Sequence, residues 1–286
     1  MARRPSPRLI TLTSDIGSAY AAQMKAVLAR RRPPGTIIDL AHDLRSHAIG
    51  EAAFLLRAMA IGFPAGTVHV AVIDPGVGGH RAPIVIECED GSRLVGPDNG
   101  VLLPLAEALG DPRAYRVDTD RFPAESRVGT TFDGRDVFAP TAALLAEGTA
   151  PSELGTAIQP HHYAVPQATV SRSGARGEVV HEDRFGNLIT NIPTDAVPAG
   201  TRRVIVRLGS GAARELPFAT SYEGLTRGRA GCLGSSFGLL EIAIAEGSAA
   251  RRLRGSVGAP IELRWGPFAR PSSRTGTAAS RASLPR

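Results

Sequence analysis

The sequence predicts an α/β N-terminal domain with a central, largely parallel sheet, plus a smaller C-terminal all-β barrel-like domain. Three observations carry this. Strand and helix signals alternate through the first half of the chain, as they do where helical crossovers join neighbouring strands. The run Thr67–Ile73 (TVHVAVI) is almost continuously apolar, the pattern of a strand buried on both faces. After about Pro151 the helical pattern stops, and short β-type runs separated by turn residues take over.

Along the chain, Arg8–Thr13 is a strand, and Ala19–Arg31 a helix with alanine, methionine and leucine on one side. Thr36–Leu40 is a second strand and Ile49–Ala60 a second helix. Thr67–Ile73, Pro83–Glu87 and Arg93–Val95 are further strands, and Asp136–Glu147 is another helix. In the second half, Glu178–His181, Leu188–Ile192, Arg203–Leu208, Leu239–Ile244 and Pro260–Arg264 read as short strands. A connector is expected near residues 160–172, which divides the chain into an N-terminal domain at 8–165 and a C-terminal domain at 172–266. The tail 267–286 is rich in Ser, Thr, Ala, Arg and Gly. It has too little apolar area to order itself and is expected to be disordered.

Composition narrows the function classes. The 286 residues are 43% hydrophobic and 21% charged, which supplies a sizeable core and excludes global disorder. Two cysteines, Cys88 and Cys232, are too few for a disulfide framework or a four-cysteine zinc site, which fits a reducing cytoplasm. No run of ~18 apolar residues lacks a charge or a breaker, so no membrane helix is expected. The basic start, Met1–Arg8, precedes an apolar run that soon meets Asp15 and reads poorly as a signal peptide. The net charge of +6 would suit nucleic acid. Much of it, however, lies in Arg3, Arg4 and Arg8, in Arg30–Arg32, and in Arg270, Arg274, Arg281 and Arg286. These read as solvated ends and a helix terminus. Aromatics are only 5%, so no stacking platform for single strands is evident. No His-x-x-x-His pair occurs among the seven histidines, and no metal is expected.

Several polar segments stand at strand ends, where α/β sheets gather ligands. Asp74-Pro75-Gly76-Val77-Gly78-Gly79-His80-Arg81 comes directly after the apolar strand. It is neither a dinucleotide fingerprint nor a Walker loop, since no helix opens on its third glycine and no Lys-Ser or Lys-Thr succeeds it. Ser14-Asp15-Ile16-Gly17 closes the first strand, where Asp15 can cap a helix or hold a ligand hydroxyl. Gly96–Gly100 (GPDNG) is strong turn chemistry. Thr131–Asp136 (TFDGRD) mixes acids and an arginine before a helix. Asp183–Asn187 (DRFGN) packs an acid, an aromatic and an amide into one loop.

With Asp39–His42 (DLAH), Thr131–Pro140 (TFDGRDVFAP), Asp183–Asn191 (DRFGNLITN) and Leu240–Ala243 (LEIA), these blocks resemble one family in order along residues 8–266. It is the S-adenosyl-L-methionine (SAM) hydroxide adenosyltransferase family, or SAM hydrolases, related to fluorinase and chlorinase. The resemblance implies an α/β domain joined to a β-barrel-like domain. It also implies homotrimers with the ligand between the N-domain of one subunit and the C-domain of the next. The implied reaction is in-line attack of water on the ribose 5′ carbon of SAM, giving adenosine and L-methionine without a cofactor. Sulfonium is already a good leaving group, so the difficulty lies in orienting and deprotonating water.

By the same resemblance, the water-orienting group comprises Asp74 and Arg81, and the family's third member, a His, is replaced here by Asp133. An ordinary Asp has a pKa of ~3.9 against ~6.5 for His, which makes a lone carboxylate a weak base. Three outcomes are open: Asp133 serves as base or orienter, Asp74 suffices alone, or hydrolysis is much weakened. Asp15 matches the acid that takes the ribose hydroxyls, and Asp183 an acid near the methionine ammonium. Asn187 matches an adenine-reading amide, Phe185 and Tyr222 aromatics around the adenine, and Ser235 and Ser236 the serines at the amino-acid end. His47 stands where relatives carry an aromatic over the nucleoside. Departures from the family pattern include Ile16 in place of Phe and Ser18-Ala19 in place of a second acid. The alternatives are a SAM- or adenosine-binding protein with little catalysis, and a halogenase. Asp74 and Asp133 argue against the halogenase because carboxylates repel a halide.

Overall fold

The computed structural model describes residues 9–122 and 129–266. Arg8, at the head of the first expected strand, and the 267–286 tail lie outside them. The N-terminal half runs β1 (Leu9–Ser14), α1 (Gly17–Arg31), β2 (Thr36–Ala41), α2 (Ile49–Ala60) and β3 (Val68–Val72). It continues with β4 (Pro83–Glu87), β5 (Arg93–Pro97), α3 (Leu103–Leu109), β6 (Arg113–Val117), α4 (Ala139–Glu147), α5 (Pro151–Leu154) and β7 (Gly155–Ile158). Its seven strands lie in the order β2-β1-β3-β5-β4-β6-β7. One face packs α1 and α4 through Met24, Leu28, Phe138 and Leu145. The other packs α2 and α3 through Leu56, Leu102 and Leu105. All five residues of β3 are buried, which explains its unbroken apolar pattern.

The expected largely parallel sheet is corrected to a mixed one. β1 runs parallel to β2 and β3, and β3 parallel to β5. β4, however, is antiparallel to β5 and β6, and β6 to β7. The reason lies in chain length. Only Cys88–Ser92 separates β4 from β5, whereas a parallel crossover needs about a dozen residues. The segment instead makes a hairpin turn, in which the Ser92 amide donates to Asp90 Oδ1 at 2.8 Å and Gly91 takes φ +81°.

The C-terminal half contains β8 (Thr169–Ser171), β9 (Gly174–Glu182), β10 (Leu188–Pro193), β11 (Arg203–Leu208), β12 (Arg214–Pro217), β13 (Ala230–Gly234), β14 (Leu239–Ile244), α6 (Ala249–Leu253) and β15 (Pro260–Arg264). Every pairing between these strands is antiparallel, in the order β12-β11-β15-β9-β10-β14-β13 with β8 against β9. The sheet nearly closes into a barrel. The Ala219 amide, just past β12, donates to the Cys232 carbonyl of β13 at 2.8 Å. The interior is filled by Val179, Leu188, Ile192, Leu240, Ile242 and Trp265.

The two halves meet where α2 touches β9. Glu51 Oε1 is hydrogen-bonded with His181 Nδ1 of the barrel at 2.7 Å, and its Oε2 forms an ion pair with Arg45 Nη2 at 2.7 Å. Burial alone would raise the Glu51 carboxyl, but these partners outweigh it and hold the carboxyl low. Phe54 and Phe237 pack edge to face across the seam, 5.7 Å apart. No helix among the described residues is long and apolar enough to cross a membrane.

His69 gives the core a pH dependence. It sits in β3, accepts or donates one bond to Thr11 Oγ1 at 2.8 Å, and is driven down to about 4 by burial. A folded pKa below the unfolded value of ~6.5 means that only the unfolded chain binds the proton between those values. Stability from this residue is therefore complete above pH ~6.5 and is lost as pH falls toward 4, by about 3 kcal/mol. Urea unfolding at pH 7 and pH 4.5 should show a larger loss for the wild type than for His69→Gln.

Candidate active site

The sheet order decides where a ligand can sit. From β1 the chain crosses through α1 to β2 on one side, and then through α2 to β3 on the other. The order therefore reverses between β1 and β3, and open α/β sheets bind ligands outside the carboxyl ends at such a point. Ser14 pairs with Val72, so the residues just beyond them, Asp15 and Asp74, emerge side by side. Both line a cavity of about 180 Å³ with Ile16, Ser46, His47, Val77, Phe132 and Asp133.

Arg81 bridges two of the acids that line this cavity. Its Nε donates to Asp74 Oδ1 at 2.8 Å, and its Nη2 donates to both Asp74 Oδ2 and Asp133 Oδ2. Two carboxylate oxygens on one nitrogen lie no more than about 6 Å apart. The guanidinium also stacks over buried Phe138, 5.6 Å from its ring centre. Burial alone would lower the Arg81 pKa, but the bonds and charges of the two aspartates outweigh it and raise it. Arg81 is thus a permanent cation flanked by two acids, and Asp15 adds a third acid to the cavity.

Local backbone features hold these groups. Gly78 takes φ +74°, and a Cβ there would sit 2.7 Å from the Thr130 carbonyl, so only glycine lets the Asp74–Arg81 loop approach the Asp133 segment. Asp133 directly precedes a π-helical turn, Gly134–Phe138, that runs into α4, and its side chain makes no capping bond to that turn. The helix begins two residues before the expected Asp136, and π-turns recur at functional sites. Behind it, Arg135 grips the buried Asp136 through two bonds and lies over the Phe132 ring, 5.4 Å from its centre. His47 adopts φ +64°, and its amide donates to Asp15 Oδ2 at 2.9 Å. Such a backbone in a non-glycine residue is costly and tends to gather at working sites.

The other candidates form a second group on the barrel. In the β9–β10 loop, Asp183 Oδ1 accepts from the amides of Phe185 and Asn187, each at 2.9 Å, and Oδ2 accepts from Asn187 Nδ2 at 3.0 Å. Asp183 thereby braces the loop and leaves the Asn187 carbonyl oxygen as the free acceptor of that amide. Tyr222 OH donates to Glu241 Oε1 at 2.5 Å. Burial raises the Glu241 carboxyl, and the nearby Asp183 charge adds to it against the Tyr222 bond. Burial and Glu241 together raise the Tyr222 phenol. Ser235 and Ser236 form the β13–β14 turn at the other end of β14, about four strand residues or ~13 Å along the ladder from Asn187.

The structure therefore brings together Asp15, His47, Asp74, Arg81 and Asp133, and separately Asp183, Asn187 and Tyr222. Phe185 and Tyr222 are 71% and 51% exposed, and no barrel residue lines the N-terminal cavity. Glu241 escaped the sequence reading except as part of a motif. Its signal was an acid inside the otherwise apolar run Leu239–Ile244, buried to 3% exposure here.

Comparison with known proteins agrees with this architecture. The profile of the SAM hydroxide adenosyltransferase N-terminal domain matches residues 10–155, and that of the C-terminal domain residues 177–262. A protein of Thermus thermophilus named (R)-S-adenosyl-L-methionine hydrolase is 39% identical over 90% of this chain and 99% of its own. One of Methanocaldococcus jannaschii with the same name is 39% identical over 66% of this chain and 68% of its own. A fluorinase of Actinoplanes is 30% identical over 67% of this chain and 74% of its own. The crystal structure of an uncharacterized conserved protein from Thermotoga maritima superposes with a TM-score of 0.81 at 32% identity, covering 89% of this chain and 99% of that one. With both domain profiles matched in order over most of its length, the chain belongs to the SAM hydroxide adenosyltransferase family.

Proposed function

We propose that the protein hydrolyses SAM to adenosine and L-methionine, with water attacking the ribose 5′ carbon in line with the departing sulfur. The observation that carries this is the Asp74–Arg81–Asp133 bridge, set beside Asp15 at the sheet's switch point. The 5′ carbon–oxygen bond forms as the carbon–sulfur bond breaks, and the electron pair leaves on methionine as a neutral thioether. Water becomes strongly acidic as its oxygen gains a bond to carbon, so a positioned carboxylate suffices to take the proton. Asp133 and Asp74 flank that oxygen, and Arg81 fixes their spacing by donating to both. Three acids against one guanidinium also leave the cavity net negative, which favours a sulfonium cation.

The ligand contacts extend the same reading. Asp15 accepts from the ribose hydroxyls, with His47 against the nucleoside. Asn187 offers its carbonyl oxygen to the adenine amino group, beside Phe185 and Tyr222. Asp183 braces that loop through bonds that occupy both of its oxygens, which leaves the amino-acid end of SAM to Ser235 and Ser236. A cavity of about 180 Å³ is smaller than the ~300–1,000 Å³ usual for ligand pockets, so it takes the ribose and the water rather than all of SAM. The exposed aromatics of a second copy's barrel would complete it, as in a homotrimer with sites between subunits. The protein then works in the cytoplasm without a cofactor. Cys88 and Cys232 are free and buried, each pushed up to about 12 chiefly by burial. By the same resemblance, Gly134 matches a halide-binding serine of fluorinase and a glycine of chlorinase. A Cβ there would lie 2.7 Å from the Phe132 ring and 3.2 Å from Met24 Sδ, which disfavours the fluorinase-like serine. The charge of Asp74 and Asp133 disfavours either halogenase.

Incubation with SAM in oxygen-18 water tests this. One heavy oxygen should appear in the 5′ hydroxyl of adenosine and none in methionine. Calorimetric binding of SAM with no product across pH 6–9 would overturn it in favour of a binding protein.

A further inference from the structure

We propose that His42 is a positioning residue for ribose recognition, holding the Ser14–Gly17 turn so that Asp15 faces the cavity. The inference rests on the reading above that Asp15 takes the ribose hydroxyls.

The β1–β2 register steps from Leu12 opposite Asp39 to Thr13 opposite Ala41, so Leu40 is an extra residue in β2. A bulge of this kind re-aims the residues beyond it. Here it brings His42 against the end of β1, where its Nδ1 lies 2.7 Å from Ser14 Oγ. Its Nε2 lies 3.1 Å from Asp39 Oδ1, and Asp39 Oδ2 accepts from Lys25 Nζ of α1 at 2.8 Å. Nε2 thus faces the Asp39 carboxylate without a hydrogen bond, and the ring's hydrogen bond is the one between Nδ1 and the Ser14 hydroxyl. Ser14 is only 1% exposed, so the Ser–His–Asp sequence is no nucleophilic triad; its reach ends inside the protein.

The element that this chain of contacts does touch is the turn bearing Asp15. The Gly17 amide donates to the His42 carbonyl at 2.8 Å, and the Leu44 amide lies 3.4 Å from the Ser14 carbonyl. The His47 amide then donates to the Asp15 carboxylate itself at 2.9 Å. The segment from His42 to His47 thus grips the turn at both ends and the acid between them. Side chains held this way lose little freedom on binding, which is the condition for ribose selectivity.

The test compares calorimetric binding of adenosine and 2′,3′-dideoxyadenosine to the full chain. The wild type should prefer adenosine by at least ~10-fold, as two charge-assisted bonds warrant. His42→Ala should cut that ratio to below ~3-fold. His42→Asn, whose amide reaches the Nδ1 position, should restore most of it. If His42→Ala does not fold, Lys25→Met, altered at the exposed end of the relay, should still lower the ratio about two- to threefold. A wild type that discriminates while both His42→Ala and Lys25→Met keep its full ratio overturns the inference alone. Equal weakening of both nucleosides in His42→Ala, unrestored by His42→Asn, also overturns it. A wild type that does not discriminate overturns the ribose reading and the inference together.

Discussion

Asp74→Asn should lower adenosine formation from SAM by about 10²–10⁴-fold with little change in KM, the range by which a positioned general base accelerates proton transfer. The amide keeps the size of the side chain and one acceptor oxygen but cannot take a proton from water. It also leaves Arg81 with one full ionic partner, Asp133, in place of two. The companion variants separate the roles of the two acids. Asp133→Ala should fall by a similar factor if both carboxylates hold the water. Asp133→His should preserve or raise turnover if Asp133 occupies the base position, since it supplies a base of pKa ~6.5 there. A hundredfold fall in Asp133→His would show a site rebuilt around a carboxylate, and an unchanged Asp133→Ala would show that Asp74 suffices alone. Steady-state kinetics tracking adenosine and methionine read all three.

Arg81→Met should be as damaging and should add a pH dependence. Without the guanidinium, two carboxylates no more than about 6 Å apart face each other with nothing between them. At ~5 Å and an effective dielectric of ~20 they repel by about 3 kcal/mol. The pair relieves this by holding one proton more tightly, and that proton occupies the base the reaction needs. Activity should therefore fall by at least ~10²-fold near neutral pH and recover as pH rises and the shared proton leaves. A rate profile from pH 5 to 9, compared with wild type, checks this. A parallel loss with no change of shape would mean that Arg81 acts only on packing over Phe138.

Much of the scaffold could be read from local pattern. α2, β4, β11, β14 and β15 begin and end where the residues said they would. The short edge elements were harder. β6 (RAYRV) spaces its two arginines three apart, so it shows no period of two and has a single β-branched residue, and β12 (RELP) is too short to show a period. The mixed sheet was in principle legible from the five-residue link Cys88–Ser92, because no helix fits there. At the site, Asp15 and Asp74 were found as acids at strand ends. The pairing of Arg81 with Asp133 rested on resemblance alone, because 52 residues separate the two.

From its own order of residues, then, this chain determined its strands, its helices and the acids placed at their ends. Backbone hydrogen bonding, glycine turns and side-chain period act over a few residues and leave their mark locally. Only the tertiary structure decided that β1 and β3 lie side by side and that Arg81 sits between two distant carboxylates. It alone decided that a bulge at Leu40 turns His42 toward Ser14, and that the barrel's aromatics lie outside the acidic cavity. Those relations depend on sheet order and register, which long-range packing selects and which no short stretch of sequence carries.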